Sequence, residues 1–140
     1  MIEIDDDMKR MVNGALESRH PIVLAYVGDD GAPHVSYRGS TQVFGKDQLA
    51  VWVRDPNAGL ARAIRGNPRV TLLYGSADPP RLFTFKGRAR IDVSANDIVY
   101  ANSPKGERDY DPNKKRAAMI IDLDEIFGFG ASGPVRLTRE

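Results

Sequence analysis

Apolar positions along the chain first recur at helical spacing and then switch to strand-like alternation. Over Asp5 to Ser18, Met8, Met11, Val12, Ala15 and Leu16 share one face, which predicts an amphipathic helix. The acidic residues at its start suit the positive end of a helix dipole, and Pro21 ends the segment. Ile22 to Val27 reads as a strand, Asp29-Asp30-Gly31 as a turn, and Pro33 to Phe44 as one long strand. Gly45-Lys46-Asp47 breaks that strand, and Leu49 to Arg54 returns as its antiparallel hairpin partner. Asp55 is a good N-cap, with Pro56 at the first helical position. Leu60, Ala61 and Ile64 give the predicted helix an apolar stripe, and Asn67-Pro68 stops it. Val70 to Tyr74 is a buried-type strand, Ser76 to Pro80 a loop, and Arg81 to Ile91 a long strand. Ser94 caps a helix to about Asn102. A polar loop follows over 103 to 113, with a second Asp-Pro helix start at Asp111 and Pro112. Ala117 to Leu123 is a strand and Pro134 to Leu137 the last one. Six or seven strands joined mostly by short turns, without regular strand-helix alternation, exclude a doubly wound sheet. They predict a mainly β chain: an antiparallel barrel with small peripheral helices.

Composition narrows the class. A chain of 140 residues, 41% hydrophobic and 28% charged, fits one domain over residues 1–140 with an ordinary globular core. There is no cysteine, so disulfides and thiolate chemistry are excluded. No apolar run has membrane-spanning length, and the acidic N-terminus has no secretory pattern, so the expected location is the cytoplasm. A net charge of +1 gives no global attraction to nucleic acid or to an anionic membrane. The positive charge is mostly arginine, 14 against 6 lysines, which suits bidentate recognition of phosphate or carboxylate.

The stretch "HVSYRGSTQVF" holds the sharpest chemical signal. Period-two alternation puts Val35, Tyr37, Gly39, Thr41 and Val43 on one face. His34, Ser36, Arg38, Ser40 and Gln42 lie on the other. The polar face is either a solvated sheet face or a surface along which a polar ligand lies. On the second reading Arg38 supplies charge, Gly39 permits close approach, and Ser40, Thr41 and Gln42 offer hydroxyl and amide groups. The helix mouth after Asp55 offers a second half of such a site. Helix N-termini present unpaired N–H groups that attract phosphate. Asn57-Ala58-Gly59 keeps the first turn small, and Arg54 and Arg62 flank it. A plain capped helix with solvated arginines is the other reading. The hairpin brings residues 38–42 alongside 50–54. A two-residue and a three-residue turn place Trp52 on opposite faces, and both registers stay open.

Other candidates carry less. His20 and His34 have no metal-ligand spacing partner, so no metal is expected. No Ser, His and Asp arrangement supports a hydrolytic triad. In "RLFTFKGRAR" the aromatics Phe83 and Phe85 fall opposite the basic Lys86, Arg88 and Arg90, so they read as core, and nucleic acid is not an expected partner. The glycine-rich 126–134 segment is a mobile loop over a cofactor, a dimer contact or a packed tail.

The order of these pieces resembles the pyridoxamine 5'-phosphate oxidase-like, FMN-binding split-barrel superfamily. The likeness runs from about Pro21 to Leu123. It is carried by "PIVLAYVGDDGAPHVS", "RGSTQVF" with "QLAVWVR", "GLARAIRGNPRVTLLY" and "FTFKGRARI". The resemblance implies an antiparallel split barrel of six to seven strands. It also implies a homodimer with FMN in clefts at the subunit interface; some relatives bind the deazaflavin F420 or haem. By that analogy Arg38, Gly39, Ser40, Thr41 and Gln42 line the cofactor, and Trp52, Val53 and Arg54 touch it. Asn57, Gly59, Leu60 and Arg62 would surround its phosphate. Where many members have a Ser-Arg-Lys-like segment, this chain has Ala58-Gly59-Leu60, which leaves backbone N–H groups and Arg38, Arg54 or Arg62 for the phosphate. The chain closes with "GPVRLTRE" and has no histidine after His34, so pyridoxamine phosphate is not its expected substrate. The function implied is an FMN-dependent oxidoreductase transferring hydride between flavin and a small substrate. The alternatives are an F420-dependent reductase, whose longer anionic tail would use Arg62, Arg65 and Arg88, and a non-catalytic flavin- or haem-binding dimer. Because the cofactor carries the redox chemistry, no side chain is named as catalytic.

Overall fold

A computed structural model describes residues 1–57 and 59–139; Ala58, part of the expected helix mouth, lies outside them. Eight strands form one antiparallel sheet: β1 Val23–Val27, β2 Pro33–Tyr37, β3 Gln42–Gly45, β4 Gln48–Val53, β5 Arg69–Ala77, β6 Pro80–Ile91, β7 Ala117–Gly130 and β8 Gly133–Thr138. Their spatial order is β2-β1-β5-β6-β7-β4-β3, with β8 on the far half of β7. Strands β2 and β3 are consecutive in the chain yet lie at opposite ends of that order. The sheet therefore curls, and the chain crosses between its two edges at residues 38–41. The continuous strand expected over Pro33 to Phe44 is thus two strands and a corner. The corner is a turn in which Thr41 donates to the Arg38 carbonyl from both its amide (3.2 Å) and its hydroxyl (2.8 Å).

Strand register sorts the side chains. Ser36, Leu24, Leu72, Phe85 and Ile126 sit side by side across β2, β1, β5, β6 and β7. All but Ser36 are fully buried hydrophobics, so this row runs through the core. The neighbouring row, Tyr37, Val23, Leu73, Thr84 and Phe127, faces outward. The polar face of β2 therefore turns inward while its apolar face is exposed: Val35 is 67% and Tyr37 70% accessible. In β6 the expected alternation holds, with Phe83, Phe85 and Ala89 in the core.

Among the described residues four α-helices decorate the barrel: α1 Asp6–Asn13, α2 Gly59–Gly66, α3 Asn96–Asn102 and the short α4 Lys105–Asp109. The Asp5 carboxylate caps α1 by accepting from the Met8 amide at 2.8 Å. The helix stops at Asn13, short of the expected Ser18, because Gly14 closes it through bonds to Arg10 and Val12. Helix α3 covers a second apolar cluster of Ala50, Trp52, Ala95, Val99, Ala118 and Ile120 on the opposite side of β4 from the main core.

Two further expectations are corrected. Strand β7 does not end at Leu123 but continues to Gly130 and pairs with β8, so the glycine-rich segment is mostly a hairpin. Gly128 (φ +146°) permits this, since a Cβ there would meet the Leu82 carbonyl at 1.9 Å. No helix starts at Asp111-Pro112. Instead Asp111 is buried and accepts hydrogen bonds from the Lys115 and Arg116 amides, each 3.0 Å long. Among the described residues, no helix is long and apolar enough to cross a membrane.

Candidate functional site

The corner between β2 and β3 and the segment joining β4 to α2 meet. Between them is a cleft of about 230 Å³ lined by Tyr26, Arg38, Val53, Arg54, Asp55, Gly59 and Leu60. Arg38 is anchored by its amide, which donates to the Ile22 carbonyl at 2.8 Å. Its guanidinium is partly buried. Among the described residues, Arg38 Nε is buried without a hydrogen-bond partner; so are the hydroxyls of Ser36 and Ser76, neither of which lines this cleft. Burial lowers the Arg38 pKa from its ordinary value; Tyr26 opposes the drop and the like charge of Arg54 adds to it. A bound anion would relieve both the burial and the repulsion. Such orphan donors are uncommon in native proteins and call for an explanation.

The helix mouth differs from expectation. Among the described residues, the Asp55 carboxylate accepts from the Asn57 amide (2.9 Å) in a local turn, and α2 spans Gly59–Gly66, so Pro56 is not at its first position. Gly59 has φ +48° and open space where a Cβ would lie. Its role is therefore conformational, since a left-handed residue is cheapest as glycine. Asn57 is exposed. Arg62, also expected at the phosphate, points elsewhere and donates to Asp29 at 2.6 Å.

The other expected site residues lie on the far side of β4. The Ser40 hydroxyl accepts from the Trp52 amide at 2.8 Å and donates to the Trp52 carbonyl at 3.3 Å. Gln42 donates to the Val99 carbonyl at 3.1 Å. The hairpin pairs Gln42 with Ala50 and has a bulge before Gly45. This register settles the Trp52 question and turns its side chain towards α3, where the indole N–H donates to Asp111 at 3.0 Å. Burial pushes the Asp111 carboxylate up, but the Lys115 amide, the Trp52 indole and the Arg116 amide outweigh it and hold it below its ordinary pKa. Ser40, Thr41, Gln42 and Trp52 are all buried, with their polar groups engaged inside the protein. Of the expected residues, the cleft brings together Arg38, Val53, Arg54, Gly59 and Leu60.

Gly39 does allow a close approach, but by the protein itself. A Cβ there would lie 3.1 Å from Glu107 Oε1 and 3.3 Å from Leu16 Cδ1. Glu107, on α4, also reaches Arg54 at 4.0 Å, and the Tyr110 ring lies 5.4 Å from the Arg54 guanidinium carbon. Sequence reasoning missed Tyr26, Ser36 as an orphan donor, Glu107 and Asp111. Tyr26 had a usable signal, because the β1–β2 turn pairs it with His34, and the two rings stack at 5.0 Å. Glu107 and Asp111 lie in a polar loop with no periodicity to point at the cleft. A slightly larger hollow, about 270 Å³, lies between α2 and β6. Its arginines are already engaged: Arg65 with the Pro56 carbonyl, and Arg90 with Asp92 and Asp122.

The barrel topology and the position of the cleft define a split-barrel protein. Residues 8–128 match the family model described as pyridoxamine 5'-phosphate oxidase, and the chain belongs to that family. Comparison with curated protein sequences finds no match. Among solved structures, HupZ of Group A Streptococcus is similar at 16% identity and TM-score 0.71, over 94% of this chain and 98% of that one. General stress protein 26 of Bacillus anthracis is similar at 20% identity and TM-score 0.66, over 94% and 98% of the two chains. A pyridoxamine 5'-phosphate oxidase-related, FMN-binding protein of Nostoc punctiforme matches at 16% identity and TM-score 0.65, over 89% and 82%. At these identities the neighbours share the fold with this chain.

Proposed function

We propose that this protein binds FMN in the Arg38 cleft and, as a homodimer, transfers hydride between the flavin and a small substrate in the cytoplasm. The observation that carries the proposal is the buried, unpartnered Arg38 Nε beside Arg54 and the start of α2. A flavin phosphate would supply the acceptor that this arginine lacks. The residues present therefore fit a phosphorylated flavin. Family membership and the FMN-binding Nostoc neighbour support the same reading. Bound flavin would supply the redox chemistry. The chain's own residues bind its phosphate, through Arg38, Arg54 and α2, and shield one side of it with Val53 and Leu60.

The F420 alternative loses support, because the arginines expected along its tail are already engaged. Arg62 pairs with Asp29 at 2.6 Å, Arg88 with Asp124 at 3.1 Å, and Arg65 with the Pro56 carbonyl. The homodimer rests on two observations. The cleft volume, about 230 Å³, is below the roughly 300–1,000 Å³ of a complete small-molecule site. The outward face of β2, β1, β5 and β6 also exposes Val35, Tyr37, Leu73 and Leu82, an apolar face of the kind that marks an interface.

Fluorescence titration with FMN tests the site. Arg38→Ala should weaken binding by roughly 30- to 100-fold, the worth of losing a charge-assisted contact. It should leave thermal stability unchanged or higher, since it removes a buried unpaired group. Unchanged affinity refutes the site. Sedimentation tests the dimer: Tyr37→Asp should shift the protein to monomer, and a wild-type protein that is already monomeric refutes the interface.

A further inference from the structure

We infer that Glu107 is an internal anion that stands beside the cleft, within reach of Arg54, and competes with the ligand's phosphate for that arginine. This inference rests on the FMN reading above. The geometry comes from three elements. Gly39, at the corner, has no side chain, and the Glu107 carboxylate packs closely over it, 3.1 Å from where a Cβ would lie. Arg54, at the end of β4, has its guanidinium 4.0 Å from that carboxylate. Helix α4 carries Glu107 and is followed by Tyr110, whose ring faces the same guanidinium.

The Glu107 side chain is 18% accessible, so it is largely withdrawn from water. Among the described residues its carboxylate accepts no hydrogen bond, and Arg54 is its ion-pair partner. The Arg54 side chain is 63% accessible, so an anionic ligand can reach it from the solvent side. A phosphate reaching Arg54 must move this carboxylate aside or bind next to it. Either event costs affinity, because like charges repel in a partly desolvated site. A ligand without phosphate leaves the Glu107–Arg54 contact in place and escapes that cost. Glu107 thus sets which flavin forms bind well: it weakens FMN and is neutral towards riboflavin. The anchoring of Asp111 to Trp52, four residues beyond Glu107, holds the segment in this position when no ligand competes.

The test is a set of binding titrations on the full chain with FMN and with riboflavin. Glu107→Gln keeps the shape and removes the charge. It should tighten FMN binding by about three- to five-fold, the scale of a partly exposed ion pair. Riboflavin affinity should not change. In an Arg54→Gln background, which itself weakens FMN binding, the second substitution should tighten FMN less than it does in wild type, because only the direct repulsion is left to remove. A thermal melt of Glu107→Gln should match wild type, which separates a charge effect from loss of the α4 segment. FMN affinity that is unchanged or weaker in Glu107→Gln overturns the inference while leaving the flavin reading intact. Equal tightening of both ligands also overturns it, since the cause would then be steric. If no variant binds FMN, the flavin reading falls and takes the inference with it.

Discussion

Two polar clusters lie on either side of β4 and treat their polar atoms in opposite ways. On the α3 side, Ser40, Gln42, Trp52 and Asp111 form a closed set in which each group has a partner inside the protein. Asp111 alone accepts from the Trp52 indole and from two backbone amides. On the α2 side, Arg38 has a buried donor left over, and the charge of Arg54 is met from 4.0 Å by a carboxylate. A satisfied buried network holds a fold in one arrangement. An unsatisfied one costs stability unless something else completes it. Apart from Asp111 and Glu107, both clusters come from the same two stretches of sequence, residues 38–42 and 52–54, and only the second cluster has room for a ligand.

The contrast can be broken from the satisfied side with the largest effect. Asp111→Asn removes the charge that three donors point at, and should cost roughly 2 kcal/mol of stability, seen as a lower Tm. FMN affinity should not fall. Arg38→Ala is expected to give the reverse pattern, and identical behaviour of the two variants would erase the distinction. Acid sharpens the same point. The folded Asp111 carboxylate lies below its ordinary pKa, so the stability it contributes is complete above the unfolded value, about 3.9, and is lost as pH falls through the lower folded one. The Tm gap between wild type and Asp111→Asn should therefore close as pH drops below about 4. The smallest effect is expected at the mouth of α2. Gly59→Ala places a Cβ in open space but on a left-handed backbone, and should cost about 1 kcal/mol of stability. A large loss of FMN affinity without loss of stability would instead mean that the glycine serves to make room for the ligand.

Much of the barrel was legible along the chain. The helix end at Asn102, the alternation of β6 and the stop at Asn67-Pro68 depend on local periodicity and on proline, and they appear where expected; Ser94, however, is not the cap of that helix, since Asp92 caps the turn before it by accepting from the Ser94 amide at 3.0 Å and α3 starts at Asn96. The break at Arg38 was not legible. Every residue from Pro33 to Phe44 tolerates extended backbone, and the corner exists because β2 and β3 must reach opposite edges of one curled sheet. The same holds for residues 124–130, where the glycines read as a loop until Leu82 and Phe83 are placed beside them. Within the site, Arg38, Val53, Arg54, Gly59 and Leu60 were legible because they lie near the hairpin and the helix mouth. Arg62 was misplaced because a helix pattern gives its face but not the position of Asp29. Glu107 was invisible, since its approach to Gly39 spans a long sequence separation.

The sequence by itself determined the composition of the faces: which residues alternate, which segments turn, and that arginines and small residues border one helix start. Those properties are local, set by backbone sterics and by the free energy of burying apolar groups. Tertiary structure decided which face of β2 turns inward, which polar groups find partners and which are left over. Those outcomes depend on which strands become neighbours once the sheet closes, because a hydrogen-bond partner or an opposing charge is supplied by a distant part of the chain.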